Sequence, residues 1–287
     1  MKIGLILEGG AMRGMYTCGV IDTFLDENIK VDGIIGVSAG ALFGINYCSK
    51  QKGRVLRYNK KYIKNKDYMG LKSLIKTGNI VNKDFAFNKI PFELDIFDEE
   101  TFQKSKTDFY ATITNIETGK AEYVKIEDTK KQMEVFRATG AMPFVSKIVE
   151  IDKKKYLDGA LADSIPITKA KELGYDKLIV VLTRPKDYQK KKQPAFLAKL
   201  KYKKYPNLVN AINTRYLKYN DTLKKIAELE EKNEIIVIRP SKKIKIKRIE
   251  KDTNKLQEMY DLGISDCKEM LPKIKKYIEK KANKKGK

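Results

Sequence analysis

Gly36-Val37-Ser38-Ala39-Gly40 stands between a hydrophobic run at residues 31–37 and a helical pattern at residues 39–50. The same order of strand, glycine-rich turn and helix comes just before it, with a strand at residues 2–7 and a helix over residues 13–27. Two successive units of this kind predict parallel strands in a doubly wound sheet. We therefore expect an α/β fold with a mostly parallel central sheet and helices on both faces.

The rest of the chain extends this pattern. Residues 107–116 and 120–126 predict a β-hairpin, and further strands are predicted at residues 148–152, 154–157, 177–182 and 234–238. Helices are predicted at residues 132–139, 166–173, 205–232 and 253–281, and residues 283–287 are expected to form a frayed tail. Residues 53–100 are mostly helical, with Pro91 breaking the pattern.

Basic residues exceed acidic ones by 60 to 37, and the excess is concentrated late in the chain. Residues 1–182 carry 29 Lys and Arg against 24 Asp and Glu, whereas residues 183–287 carry 31 against 13. A surface with this charge attracts nucleic acid or an anionic membrane. The alternative is a solvated lysine surface produced by an AT-rich genome, because 52 of the basic residues are lysine.

Cysteine usage and hydropathy both indicate a cytoplasmic protein. The three cysteines are widely spaced and form no C-x-x-C pair, which is typical of reduced thiols. The apolar start at residues 3–7 is too short for a signal peptide or a spanning helix, and no other run reaches spanning length.

The pentapeptide around Ser38 has the G-x-S-x-G pattern of a nucleophile elbow, in which a strained turn exposes the serine oxygen. A serine hydroxyl is a poor nucleophile near neutral pH unless a neighbouring group takes its proton. The chain contains no histidine. Either the motif is a tight turn without chemistry, or a carboxylate is the base.

Asp158 is the best candidate for that base. It ends a predicted strand and is followed by Gly159 and Ala160, whose small size permits close approach of another backbone. Asp32, Asp152 and Asp163 remain rivals on residue type alone, although Asp32 opens its strand and so lies at the opposite edge of the sheet.

The first glycine turn, Gly9-Gly10-Ala11-Met12-Arg13-Gly14, opens a helix one unit before the serine. Its backbone N–H groups suit an oxyanion beside Ser38, since the two turns share the carboxyl edge of adjacent strands. A dinucleotide site fits poorly because Ala11 replaces the middle glycine of G-x-G-x-x-G. Arg13 either holds this loop in shape, attracts a substrate phosphate or is solvated.

The order of these motifs resembles the patatin-like phospholipases, over roughly residues 1–183. Residues 137–143 also look like the family's block ahead of the aspartate. The resemblance implies Ser38 as nucleophile, Asp158 as base and an oxyanion hole formed by Gly9, Gly10, Ala11, Met12, Arg13 and Gly14. Gly36, Gly40, Gly159 and Ala160 would support the motifs. The family's usual third glycine is here Ala11, which is tolerable if its φ stays negative.

The implied activity is hydrolysis of carboxylic ester bonds in lipids by a Ser–Asp dyad, of phospholipase A or lysophospholipase type. This chemistry needs neither a metal nor another cofactor. We expect a catalytic domain at residues 1–183 and a basic, mostly helical extension at residues 184–287 packed on it. The expected partners are a lipid or other acyl-ester substrate and, peripherally, an anionic membrane.

The alternative is a non-catalytic scaffold that binds nucleic acid or an anionic membrane. Tyrosines interleave with lysines after residue 183, which suits base stacking and phosphate contacts. No helix-turn-helix, zinc-finger or RNA-binding signature accompanies them, so a nucleic-acid partner is disfavoured.

Overall fold

The structure, a computed structural model, describes residues 1–279, so the predicted tail at residues 283–287 lies outside the described residues. These residues contain one eight-stranded sheet. Its strands are β1 (Ile3–Leu7), β2 (Gly33–Val37), β3 (Asp108–Asn115), β4 (Ala121–Lys125), β5 (Val149–Ile151), β6 (Lys154–Asp158), β7 (Lys177–Val181) and β8 (Ile235–Ile238).

The parallel part of the sheet consists of five strands in the order β3-β2-β1-β7-β8. Strands β4 and β6 pair antiparallel with β3, and β5 pairs antiparallel with β6. The mostly parallel central sheet expected from the two opening strand–turn–helix units is therefore confirmed, with the predicted hairpins at one side.

One edge of β3 is shared by two strands, and this arrangement determines which residues meet. Strand β2 pairs with the first part of β3 and ends at Val37 opposite Thr112. Strand β6 pairs with the next residues, beginning with Asp158 opposite Ile113. Because β4 pairs along both stretches, it occupies the other edge. The residues that follow β2 and those that end β6 therefore come together.

Helices cover both faces of the sheet. They are α1 (Met15–Asp26), α2 (Ala39–Cys48), α3 (Arg54–Tyr62), α4 (Leu71–Thr77), α5 (Glu99–Gln103), α6 (Met133–Thr139), α7 (Ile167–Glu172), α8 (Ala195–Lys201), α9 (Pro206–Glu231) and α10 (Thr253–Glu279). Successive side chains along a strand point to opposite faces of the sheet and so join two separate hydrophobic clusters. Leu5 and Leu7 belong to one cluster, and Ile6 belongs to the other. Among residues 1–279, no helix combines the length and apolar composition needed to cross a bilayer.

Three local elements differ from the sequence predictions. Pro91 lies inside a π-helix at Phe85–Leu94 rather than breaking a helix. The predicted start of the first long helix is a 3₁₀ turn at Ala11–Gly14. Helix α8 was not predicted, because its seven residues follow a run of lysines without a clear start signal.

The basic C-terminal region contacts the rest of the fold at several places, two of which involve a strand and a long helix. Strand β8 extends the parallel sheet by pairing with β7. Helix α10 crosses α1 so closely that a Cβ on Gly19 would lie 2.1 Å from Tyr260 O, and a Cβ on Gly263 would lie 2.1 Å from Tyr16 O. The predicted division of the chain at residues 183 and 184 stays a prediction.

Candidate active site

Ser38 and Asp158, 120 residues apart in the chain, are in direct hydrogen-bonding contact. Ser38 Oγ donates to Asp158 Oδ2 at 2.8 Å. Both residues are buried, with exposed fractions of 8% and 6%. Ser38 immediately follows β2 and Asp158 ends β6, so the shared edge of β3 brings them together.

The serine lies on a strained turn that its surroundings hold in place. Ser38 has φ 53° and ψ −123°, a conformation sparsely populated by residues other than glycine. Its N–H donates to Thr139 Oγ1 at 2.9 Å, and Thr139 in turn donates to the carbonyl of Thr112 at 2.6 Å. Thr139 lies in the block at residues 137–143, but sequence reasoning assigned it no role.

Asp158 is oriented by contacts on both sides of its carboxylate. Its Oδ1 accepts a hydrogen bond from the Ala160 amide at 2.9 Å, which leaves Oδ2 for Ser38. Burial raises the pKa of the Asp158 carboxyl above its ordinary value, while the Arg215 cation and the hydrogen bonds from Ala160 and Ser38 oppose that rise. A carboxylate with a raised pKa is a better proton acceptor than an ordinary aspartate.

The rival aspartates lie elsewhere. Asp32 accepts from the Ile3 amide at the opposite end of the strands, Asp152 is exposed in the turn between β5 and β6, and Asp163 accepts from Tyr123 Oη at 2.6 Å. Of the four candidates, the structure brings Asp158 alone into hydrogen-bonding contact with Ser38.

The glycine-rich loop lies beside the serine. A Cβ on Gly9 would be 2.9 Å from Ser38 Cβ and 2.8 Å from Val37 O, so the two turns are in backbone contact. Within the described part of the chain, the amides of Gly10 and Ala11 have no protein acceptor. Both residues line a cavity together with Ser38, so their amides are available to an oxyanion.

The other predicted loop and support residues have distinct surroundings. The Met12 amide donates to Arg248 O, and its side chain lines an apolar cavity. Gly14 packs against α2. The motif-supporting glycines each face backbone too closely for a side chain: Gly36 against Ala41, Gly40 against Leu7 and Gly159 against Thr112.

Ala11 occupies a backbone conformation that favours glycine, with φ 49°. The condition under which a methyl group would be tolerated there, a negative φ, is therefore not met. A left-handed conformation costs a residue with a Cβ about 1–2 kcal/mol. The conformation of the loop that carries the two free amides therefore lowers the stability of the folded protein.

We expect Ala11→Gly to raise the free energy of unfolding by about 0.5–1 kcal/mol. Relief of the left-handed strain exceeds the added unfolded-chain entropy of glycine, which is about 0.4–1 kcal/mol. Urea denaturation of both proteins measures the difference. A lower denaturation midpoint for Ala11→Gly, with the same slope, would contradict the assigned conformation.

Two cavities meet at Ser38. The first, which we call the apolar cavity, is lined by residues including Leu42, Phe43, Tyr58, Phe87, Ile90 and Phe136. The second, the basic cavity, is lined on its cationic side by Arg13, Arg184, Lys190, Arg215 and Arg248. Ala11, Ser38, Met142 and Arg248 line both.

Sequence reasoning found Arg13 but missed the other four cations of the basic cavity. Burial, and then the nearby Arg184, lower the pKa of the Arg13 guanidinium to about 10. Burial and the Arg215 cation lower the pKa of Lys190 to about 7. No motif marks these residues, because they come from separate segments that meet only after folding.

Comparison with known proteins was made on sequence and on structure. A family model described as patatin-like phospholipase matches residues 5–171, and one described as a domain of unknown function matches residues 205–279. An uncharacterized Escherichia coli protein, YjjU, is 25% identical over 98% of this chain and 80% of its own length.

More distant relatives are much longer proteins. Lysophospholipase nte1 of Aspergillus niger is 27% identical over 63% of this chain, and the matched part is 12% of the fungal protein. The crystal structure of VipD from Legionella pneumophila superposes with a TM-score of 0.46 and 14% identity, covering 93% of this chain and 67% of VipD.

Proposed function

Because this chain belongs to the patatin-like phospholipase family, we propose that it is a serine acyl hydrolase that cleaves carboxylic ester bonds of lipids. The observation that carries the proposal is the hydrogen bond from Ser38 Oγ to Asp158 Oδ2 at the junction of two cavities. The proposed type is phospholipase A or lysophospholipase, and the similarity to the fungal lysophospholipase nte1 supports the second of these.

The proposed reaction has two steps. Asp158 accepts the Ser38 proton while Ser38 Oγ attacks the ester carbonyl, and Asp158 then gives this proton to the alcohol part of the substrate as it leaves. Water then attacks the acyl-enzyme, again with Asp158 as the base, and releases the fatty acid. The hydrogen bond of 2.8 Å already joins the two atoms between which the proton moves.

Negative charge develops on the carbonyl oxygen in both steps. The free amides of Gly10 and Ala11 are the proposed donors to this oxyanion. One such donor commonly contributes about 3–4 kcal/mol to lowering the barrier. Since Gly9 packs directly on the Ser38 turn, these donors are held at a fixed position relative to the nucleophile.

The apolar cavity supports a lipid rather than a small water-soluble ester. Its lining is rich in aliphatic and aromatic side chains, and it opens at Ser38. An acyl chain placed there loses contact with water along its length, which contributes about 0.8 kcal/mol per methylene. The carbonyl carbon at the end of that chain then lies at Ser38 Oγ.

A fluorophosphonate probe tests the proposed function directly. The probe phosphonylates an activated serine with loss of fluoride, so we expect one covalent adduct, which peptide mass spectrometry locates at Ser38. Ser38→Ala should remain unlabelled under the same conditions. An unlabelled wild-type protein that is folded and hydrolyses no ester would contradict the proposal.

Membrane contact is proposed through an apolar rim beside the two cavities. The rim comprises Leu71 and Ile75 on α4 with Phe196, Leu197 and Leu200 on α8, all of them exposed. Both helices also carry lysines, which favours an anionic lipid surface. A protein with this rim would associate peripherally with a membrane, as expected for a cytoplasmic lipid hydrolase.

The position of the rim follows from contacts with residues 144–147. Lys201 Nζ donates to Phe144 O at 2.9 Å, and Ile80 N donates to Val145 O at 2.7 Å, so α8 and the segment after α4 are joined there. Phe144 lines the basic cavity and Val81 lines the apolar cavity. The two helices of the rim are therefore connected to segments that line the two cavities.

We expect the double variant Ile75→Ser/Leu200→Ser to bind phosphatidylglycerol vesicles at least about 100-fold more weakly, because full burial of each side chain contributes about 1.5–3 kcal/mol. Vesicle co-sedimentation at physiological salt measures this. Leu217→Ser on α9 removes another exposed apolar side chain and serves as the matched control. Equal binding by the double variant and the wild type would contradict the assignment of the rim.

A further inference from the structure

The arginines of this chain fall into two groups: those that pair with carboxylates and those that line the basic cavity. The sequence has only eight arginines beside 52 lysines, and all eight lie within residues 1–279. Four of them pair with carboxylates: Arg54 and Arg57 with Asp95, Arg137 with Glu134, and Arg239 with Glu230. The other four all line the basic cavity.

Those four arginines have no carboxylate within ion-pairing distance in the described part of the chain. The Nε atoms of Arg13 and Arg215 are buried without any hydrogen-bond partner. Leaving a buried charged donor unpaired is costly. Folded proteins seldom retain such groups unless a water, an ion or a ligand satisfies them.

Two carboxylates do reach the basic cavity, but their oxygens are engaged elsewhere. Glu8 accepts from the Thr183 amide at 2.6 Å and from Tyr219 Oη at 2.7 Å. Asp158 accepts from Ser38 and from the Ala160 amide. Five cations against two carboxylates leave the cavity with an excess of positive charge.

Aromatic side chains hold two of the cations in place. The Arg184 guanidinium lies 4.4 Å from the centre of the Tyr188 ring, and Lys190 Nζ lies 4.2 Å from the centre of the Tyr219 ring. These cation–π contacts fix the groups without neutralising their charge. The cavity is therefore arranged to receive an anion.

We propose that Arg13, Arg184, Lys190, Arg215 and Arg248 bind a phosphate group, and that the substrate is an acyl ester whose alcohol part carries a phosphomonoester. This substrate class rests on the function proposed above. A phosphomonoester carries a charge of about −1.5 to −2 at pH 7 and three acceptor oxygens, whereas a phosphodiester headgroup carries one charge. Guanidinium groups bind such oxygens in pairs.

The position of Ser38 fits this substrate. With the acyl chain in the apolar cavity and the phosphate in the basic cavity, the ester carbonyl lies where the two cavities meet. Arg215 and Arg248 lie in the region matched by the domain of unknown function. On this assignment that region completes the substrate site.

Hydrolysis of matched esters tests the substrate class. With lysophosphatidic acid, lysophosphatidylcholine and monoacylglycerol of one chain length, we expect kcat/KM to be about 10- to 100-fold higher for the phosphomonoester than for the other two. Arg184→Gln and Arg248→Gln should lower this ratio towards one, and Arg248→Lys should restore part of it.

The charge-matched control is Lys224→Gln, an exposed position on α9. Equal rates on the three esters, or an equal loss of preference in Lys224→Gln, would overturn the proposal.

A binding measurement keeps this test independent of catalysis. Calorimetry on Ser38→Ala compares octyl phosphate, octanol and inorganic phosphate at about 0.15 M salt, which screens exposed charges. We expect octyl phosphate to bind at least about 10-fold more tightly than either of the others, and to lose that advantage in Ser38→Ala/Arg184→Gln. Inorganic phosphate binding as tightly as octyl phosphate would overturn the lipid assignment. If no ester is hydrolysed but octyl phosphate binds as expected, the proposed function fails while the phosphate site stands.

Discussion

Ser38→Ala and Asp158→Asn are each expected to lower kcat for a neutral ester by about 10⁴-fold or more, as the loss of a nucleophile or its base does in other serine hydrolases. Ser38→Ala removes the attacking oxygen. Asp158→Asn keeps an oxygen that can accept from the Ala160 amide but removes the group that takes the serine proton. Initial rates on a p-nitrophenyl ester measure both losses.

The stability of Asp158→Asn distinguishes loss of chemistry from loss of folding. Burial raises the pKa of the folded-state carboxyl, so its ionised form makes folding less favourable as pH rises above the unfolded-state pKa. A neutral amide lacks this cost. We therefore expect a melting temperature at pH 7 equal to or above that of the wild type. Asp152→Asn, at an exposed turn, is the matched control. Substantial activity in folded Asp158→Asn would exclude the dyad.

Gly9→Ala is expected to lower kcat by about 10²–10³-fold, the usual effect of losing one oxyanion donor. The added Cβ would lie 2.8 Å from Val37 O and 2.9 Å from Ser38 Cβ. Neither atom is at the end of a flexible side chain, so the loop with the Gly10 and Ala11 amides must move away from the nucleophile. Single-turnover acylation by a p-nitrophenyl ester measures the effect.

A matched control separates this local displacement from general destabilisation. Gly174 has φ 78°, and no atom lies within 4 Å of a Cβ built there. Gly174→Ala therefore adds backbone strain of about 1–2 kcal/mol far from the active site. We expect it to lower the melting temperature but to leave the acylation rate unchanged. Equal acylation by Gly9→Ala and the wild type would show that the loop is not the oxyanion hole.

The site residues that could be predicted from the sequence are those that belong to local motifs. Ser38 and the glycine loop follow adjacent strands at the same sheet edge, and this placement is visible from hydrophobic periodicity alone. Asp158 could be favoured by its small neighbours but not chosen over Asp163 without the family resemblance. Asp158 pairs with β3 just past the end of β2. This pairing arises only in the tertiary structure, so no local sequence pattern predicts it.

The basic cavity could not be predicted for the same reason. Arg184, Arg215 and Arg248 come from a loop, a long helix and a second loop, and each has at least one exposed lysine within three residues in the sequence. Arginine and lysine contribute equally to net charge, so composition suggests an external basic face. What distinguishes these arginines is that they line one cavity, and the cavity forms only in the assembled fold.

The shared edge of β3 also has a consequence for the protein during its synthesis. Ribosomes release the N-terminal part of a chain first, and domains begin to fold as they emerge. When β2 and Ser38 have emerged, Asp158 at the end of β6 still lies about 120 residues behind in the chain. On the proposed mechanism, the nascent chain therefore carries an inert hydroxyl until translation has delivered β6.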